Sequence, residues 1–209
     1  MPKSPPRNSP KDKRRRRRRA LSVVTFTLST LGLAWFFESQ DTTTIMFVRH
    51  ADTDAAMAAG GDPPLNARGL ARADLLANFL EDVDVIAGVD AIYVSEFKRT
   101  QQTAAPIAAR LGVDVQIADQ RDVVGFMKNV LHLNKGDIVL VVSHSDLIGP
   151  LVDELHGSKN IPPMGPDDFD DLYVVTIPWF GKVKTLRFPY ATGWEMRATQ
   201  TTALSDATD

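Results

Sequence analysis

From Thr44 onward the chain alternates between two hydrophobic rhythms. "TIMFVR" (44–49) is a short apolar run of strand length, and "LNARGLARADLLANFLEDV" sets Leu70, Ala73, Leu76, Ala77 and Leu80 on one helical face. "DAIYVSE" (90–96) predicts a second strand, and "KRTQQTAAPIAARLG" (98–112) a second helix that Gly112 stops. A third strand, "VDVQIAD", and a third helix, "DVVGFMKNVLHL", follow. "DIVLVVSH" (137–144) has no polar alternation, which predicts a strand covered on both faces. "SDLIGPLVDELHG" reads as a helix with Pro150 inside it, and "DLYVVTIPW" and "KVKTLRF" as a closing hairpin. Strands alternating with helices predict a three-layer α/β/α sandwich around a mostly parallel sheet, spanning 45–190. The Pro- and Asp-rich "GSKNIPPMGPDDFDD" is a loop, and residues 191–209, without apolar period, a C-terminal tail.

The first forty residues follow another rule. "ALSVVTFTLSTLGLAWFF" (20–37) carries no charge, and as a helix it spans roughly 27 Å, close to a bilayer's hydrocarbon thickness. Trp35, Phe36 and Phe37 suit the membrane interface. Residues 1–19 hold ten lysines and arginines against one acid, whereas 20–209 carry 14 basic and 25 acidic residues. The run Arg14–Arg19 alone suggests nucleic acid, but its position before an apolar segment makes it a topology determinant. The expectation is a basic cytoplasmic tail (1–19), a transmembrane signal anchor (20–37), a linker (38–44) and an exported body at the plasma membrane, with no nucleic-acid partner. Cleavage to a secreted or periplasmic form is the alternative. "LGLAWFF" offers only Gly32 and Ala34 before three aromatics, a poor small-x-small site. With no cysteine, no disulfide holds the body. Oligomeric state has no sequence signal.

In open α/β sheets ligands bind beyond the carboxyl ends of the strands. The first strand ends in Arg49-His50, the second in Ser95-Glu96 followed by Lys98-Arg99, and the fourth in Ser143-His144-Ser145-Asp146. Two of the four histidines and two arginines thus come from three strand ends. Guanidinium forks clamp phosphate oxygens and an imidazole can attack phosphorus. Taken singly, each histidine is more often structural; together with two arginines they point to a phosphoryl site.

These residues carry a resemblance. "FVRHADT" is similar to the Arg-His-Gly/Ala motif of the histidine phosphatase superfamily, the phosphoglycerate mutase-like fold. The likeness continues in order through "DPPLNARGLARADLLANFL", "VSEFKRTQQTAAPIAARLG" and "VLVVSHSDLIGPLVDEL" to "FDDLYVVT", about residues 44–188. It most resembles the compact bacterial phosphohistidine-phosphatase-like branch. The resemblance implies His50 as nucleophile, with Arg49, Arg99 and His144 holding the non-bridging phosphoryl oxygens, and neither metal nor other cofactor. It also implies a phosphatase acting on phosphomonoesters or phosphohistidine; the expected exported position puts a small-molecule or phosphosugar substrate within reach.

The sequence departs from the family where a Glu or Asp commonly protonates the leaving oxygen. Asp122 and Asp146 are the candidate donors, beside Asp119. Their plainer readings are a helix start for Asp122, a helix N-cap for Asp146 and a solvated turn for Asp119. Asp52 stands where the family commonly has Glu or Gln. Ser95 supports the pocket or merely ends its strand, while Arg68, His132 and His156 read as surface residues. Three alternatives stay open: a weak or inactive membrane-tethered phospho-ligand-binding protein, a phosphomutase, and a basic-tail protein binding nucleic acid or anionic lipid. Export argues against a cytosolic mutase.

Overall fold

The computed structural model describes residues 10–38, 42–54, 61–81 and 88–191. It divides into two units, Met1–Gln40 and Asp41–Asp209. The extreme N-terminus, residues 39–41 of the expected linker, the middle of the 54–64 loop and the tail from 192 lie outside the described residues.

In the first unit, helix α1 runs from Pro10 to Glu38, so the helix takes in the whole arginine run as well as the expected 20–37 span. Lys13–Phe36 is long and apolar enough to cross a membrane, a property that signal sequences share. Its apolar side chains are exposed, Phe26 at 74% and Trp35 at 73%, as a core helix would not leave them. Ser22, Thr27 and Thr30 donate their hydroxyls to the carbonyls of Arg18, Val23 and Phe26 at 2.8–3.0 Å. That leaves these hydroxyl protons satisfied inside the helix, as an apolar surrounding demands.

The second unit holds the expected elements in the expected order. They are β1 (Thr43–Arg49), α2 (Ala67–Glu81), β2 (Ala91–Val94), α3 (Lys98–Leu111), β3 (Val115–Ile117) and α4 (Val123–Leu133). There follow β4 (Ile138–Ser143), α5 (Ser145–Glu154), β5 (Asp171–Ile177) and β6 (Lys184–Pro189). The sheet order is β3-β2-β4-β1-β5-β6, parallel through β1 and antiparallel at β5 and β6. β4 is therefore flanked by β2 and β1, and both its faces are covered, Val139 and Val141 in one core and Leu140 and Val142 in the other, which explains its unbroken apolar run.

Alternate residues of β1 feed two cores. Ile45 and Phe47 pack with Met127 and Val130 of α4 and with Ile148 and Leu151 of α5. Met46 and Val48 pack with Leu76 and Leu80 of α2 and with Ile107 of α3. This period-two split makes three layers, with α2 and α3 on one face and α4 and α5 on the other. Gly112 closes α3 in the left-handed region at φ 67°, where its missing Cβ removes the strain.

One expected helix face is rotated. Leu70 is 50% exposed, while Gly69 and Arg72 join Ala73, Leu76, Ala77 and Leu80 on the buried side of α2. The cause is Asp52. Its carboxylate takes a 2.6 Å bond from Arg72 Nε and a 3.4 Å ion pair from Arg68, and its backbone oxygen sits where a Cβ on residue 69 would be. Anchoring α2 through Arg72 turns Leu70 outward.

Candidate active site

The β1, β4 and β2 ladders run in step, with Arg49 opposite Ser143 and Val94 opposite Val142. The three carboxyl ends therefore open side by side, onto a cavity of about 350 Å³ whose wall includes His50, Ser95, Arg99, His144 and Asp146. His50 is fixed from three sides. Its N–H donates to Ser143 O at 2.9 Å, the next amide to Thr103 Oγ1 at 2.9 Å, and its ring Nδ1 lies 2.8 Å from Ala51 O. A carbonyl only accepts, so Nδ1 carries the proton and Nε2 keeps its lone pair.

The His144 ring lies 5.3 Å from that of His50, centroid to centroid, at 61°. Its Nε2 is 2.9 Å from Ser95 Oγ, which is 2.9 Å from Thr100 Oγ1. Thr100 spends its one proton on backbone carbonyls, the nearest being Phe97 O at 2.8 Å. It then accepts from Ser95, and Ser95 accepts from His144 Nε2–H. The Ser95 hydroxyl supports the pocket, and α3 begins where this chain of bonds ends.

Both histidines are pushed down to about 4. Burial is the main cause for each; then His144, Arg99 and Arg49 act on His50, and Arg99, Arg121 and Arg49 on His144. Unfolded, each titrates near 6.5. Stability is thus intact above pH 6.5 and declines toward pH 4, as the unfolded chain binds protons that the folded one refuses. The slope is about 1.4 kcal/mol per pH unit per histidine. Urea midpoints should fall over that window, and the His50→Gln, His144→Gln double variant should flatten the fall. An unchanged slope would show that neither ring is held neutral.

Arg49 is differently engaged. One terminal nitrogen donates to Gly165 O at 2.7 Å and Asp168 O at 3.0 Å, and the guanidinium lies 4.0 Å over the Phe169 ring. Its Nε is buried with no hydrogen-bond partner among the described residues, and Arg49 is not on the cavity wall. The Phe169 ring also lies 6.0 Å from that of His50, so the 157–171 loop braces both residues. Arg99 lies 4.3 Å over Phe97 and is 4.0 Å from the Asp62 carboxylate.

The carboxylates separate clearly. Asp122 caps α4, accepting from Gly125 N at 3.1 Å, and is not on the cavity wall. Asp119 is on the wall, but its carboxylate closes a turn onto Arg121 N at 2.9 Å. Asp146 is exposed in the first turn of α5 and does not cap it. The cap position falls to His144, which makes no side-chain cap bond, because helix α5 begins at Ser145, two residues before an Asp146 cap would start it. Glu96, paired with Arg121 at 3.6 Å, also lines the wall, as do Gln120, Arg121 and Phe97, which were not legible as site residues. A cation between two weighed acids, Arg121 between Asp119 and Asp122, was the available signal. Such a site can bind a tetrahedral anion and present it to an imidazole lone pair.

Residues 45–121 match the family model of the histidine phosphatase superfamily (branch 1). The fold is the phosphoglycerate mutase-like one. The structure of the protein histidine phosphatase SixA complexed with tungstate superposes with a TM-score of 0.59 at 25% identity, covering 71% of this chain and 97% of that one. Phosphoglycerate mutase from Plasmodium falciparum superposes at 0.52 with 17% identity, covering 72% and 92%. Curated proteins yield no match by sequence.

Proposed function

We propose that this chain, which matches the histidine phosphatase superfamily over 45–121, hydrolyses phosphomonoesters or phosphohistidine through a phosphohistidine on His50. The observation that carries the reading is the tautomer lock: Nδ1–H on Ala51 O leaves Nε2 as the lone pair beside the cavity. Nε2 attacks phosphorus, the N–P bond forms as the bond to the leaving group breaks, and the leaving group takes a proton. Water then attacks, the N–P bond breaks, and its electron pair returns to Nε2.

Arg49, which precedes His50 at the end of β1, joins Arg99 and His144 in holding the three non-bridging oxygens, where charge spreads in the transition state. A bound phosphate dianion favours the imidazolium of His144, whose second N–H then becomes a donor. Of the two candidate proton donors, Asp146 takes the role, being the one on the cavity wall. An exposed donor suits good leaving groups, acyl phosphates and phosphoramidates among them. The substrate is a small phosphorylated molecule or phosphosugar. Helix α1 anchors the chain in the plasma membrane, its basic end cytoplasmic and the domain from 45 to 190 exported.

The test follows phosphate from an activated aryl phosphate into the protein and then into water. A brief incubation at pH 5 should leave an acid-labile phosphoryl mass on the peptide containing His50, with free phosphate accumulating at the rate the label turns over. Phosphate recovered on a second hydroxyl instead would make the protein a mutase. Orthovanadate binding with neither label nor release would make it a binding protein.

A further inference from the structure

The turn joining β5 to β6 is the most apolar exposed feature of the second unit. Phe180 is 85% and Trp179 53% exposed, with their rings 6.1 Å apart. Gly181, at φ 114°, turns the chain, and Lys182 and Lys184 lie exposed on the way into β6. The segment 178–184, "PWFGKVK", holds two lysines and no acid in a body where acids outnumber bases. Exposed aromatics flanked by lysines are costly in water but suited to a lipid headgroup zone, where rings sit at the apolar boundary and cations meet phosphates.

The turn's place in the sheet adds a second, independent argument. Ile177 pairs with Thr43, the first residue of β1, so the turn lies at the end of the sheet where the chain enters it. In sequence, residues 39–42 alone separate Thr43 from Glu38, the last residue of α1. Extended, such a connection reaches at most about 17 Å. An α1 that spans a membrane therefore tethers Trp179 and Phe180 close to that membrane's surface.

We propose that the β5–β6 turn is a membrane-docking tip, inserting Trp179 and Phe180 into the headgroup zone of an anionic lipid surface while Lys182 and Lys184 face lipid phosphates. This rests on the reading of α1 as an uncleaved anchor. It presents the opposite, carboxyl end of β1 to the aqueous phase.

The chain has no cysteine, so a single cysteine gives a unique label. Full-length Phe180→Cys and, as control, Asn129→Cys on exposed α4 carry an environment-sensitive fluorophore in nanodiscs of one chain each. The bilayer mixes phosphatidylglycerol and phosphatidylcholine, with or without headgroup-level quencher lipids. The label at 180 should shift to the blue and be quenched at least threefold more than that at 129. Lys182→Glu with Lys184→Glu should remove most of the difference, while phosphatase turnover stays unchanged. A chain that fails to co-float with vesicles overturns the anchor and the tip with it. Co-flotation with equal quenching at both positions overturns the tip alone. A blue shift in lipid-free detergent that grows with protein concentration assigns the turn to a second copy, and also overturns it.

Discussion

Phosphate release by the His50→Ala variant is expected to fall by about 10⁴-fold or more, with the fold intact. Nothing else at the cavity is placed to replace it. His144 is the nearest imidazole, but its Nε2 proton is committed to Ser95, and its Nδ1 takes up a proton when a phosphate dianion binds, which leaves no lone pair for attack. Removing His144 as well should cost little more, since residues of one catalytic unit lose their effect together. The cavity left by the ring opens onto the solvent-filled pocket, so added imidazole should restore part of the turnover. Retention of a tenth of the activity by His50→Ala would mean another nucleophile, and the phosphohistidine reading would fall. The unfolding midpoint of the variant separates loss of chemistry from loss of structure.

The Asp52→Ala variant is expected to lose about 3–5 kcal/mol of stability, the cost of removing one member of a buried ion pair. Asp52 is 5% exposed and Arg72 3%, and their 2.6 Å bond ties the segment after His50 to helix α2. Asp52→Asn keeps the shape and one acceptor, and should lose less. The effect should reach the site as well. The Arg72 guanidinium lies 5.9 Å from the Phe169 ring, against which Arg49 is stacked, so turnover should drop even where the variant is fully folded. Urea denaturation gives the first quantity and phosphate release below the transition the second. A loss under 1 kcal/mol would show that Arg72 finds an equivalent acceptor when its carboxylate is gone.

How much of this could be read from residues alone varies with the kind of interaction. The alternation of strands and helices was legible because burial imposes periods of two and of three to four, and β4 was recognisable as central by its lack of polar positions. His50, Arg99 and His144 were legible because a parallel sheet sends its carboxyl ends to one edge. What stayed hidden depended on contacts between distant segments. The rotation of α2 follows from a carboxylate fifteen residues upstream of the helix, which no periodicity within the helix reports. The bracing of Arg49 by carbonyls of Gly165 and Asp168 needs a loop that looked unpatterned. Asp146 lost its cap role because α5 starts two residues earlier, within the margin at which helix ends are least predictable from sequence.

Strand β1 has a metric consequence. Its seven residues, at roughly 3.3 Å each, separate Thr43, at the end of the sheet that carries the β5–β6 turn, from His50 by about 23 Å. The sheet thus holds its exposed aromatic turn and its cavity at opposite ends, so a surface bound at the one does not occlude the other.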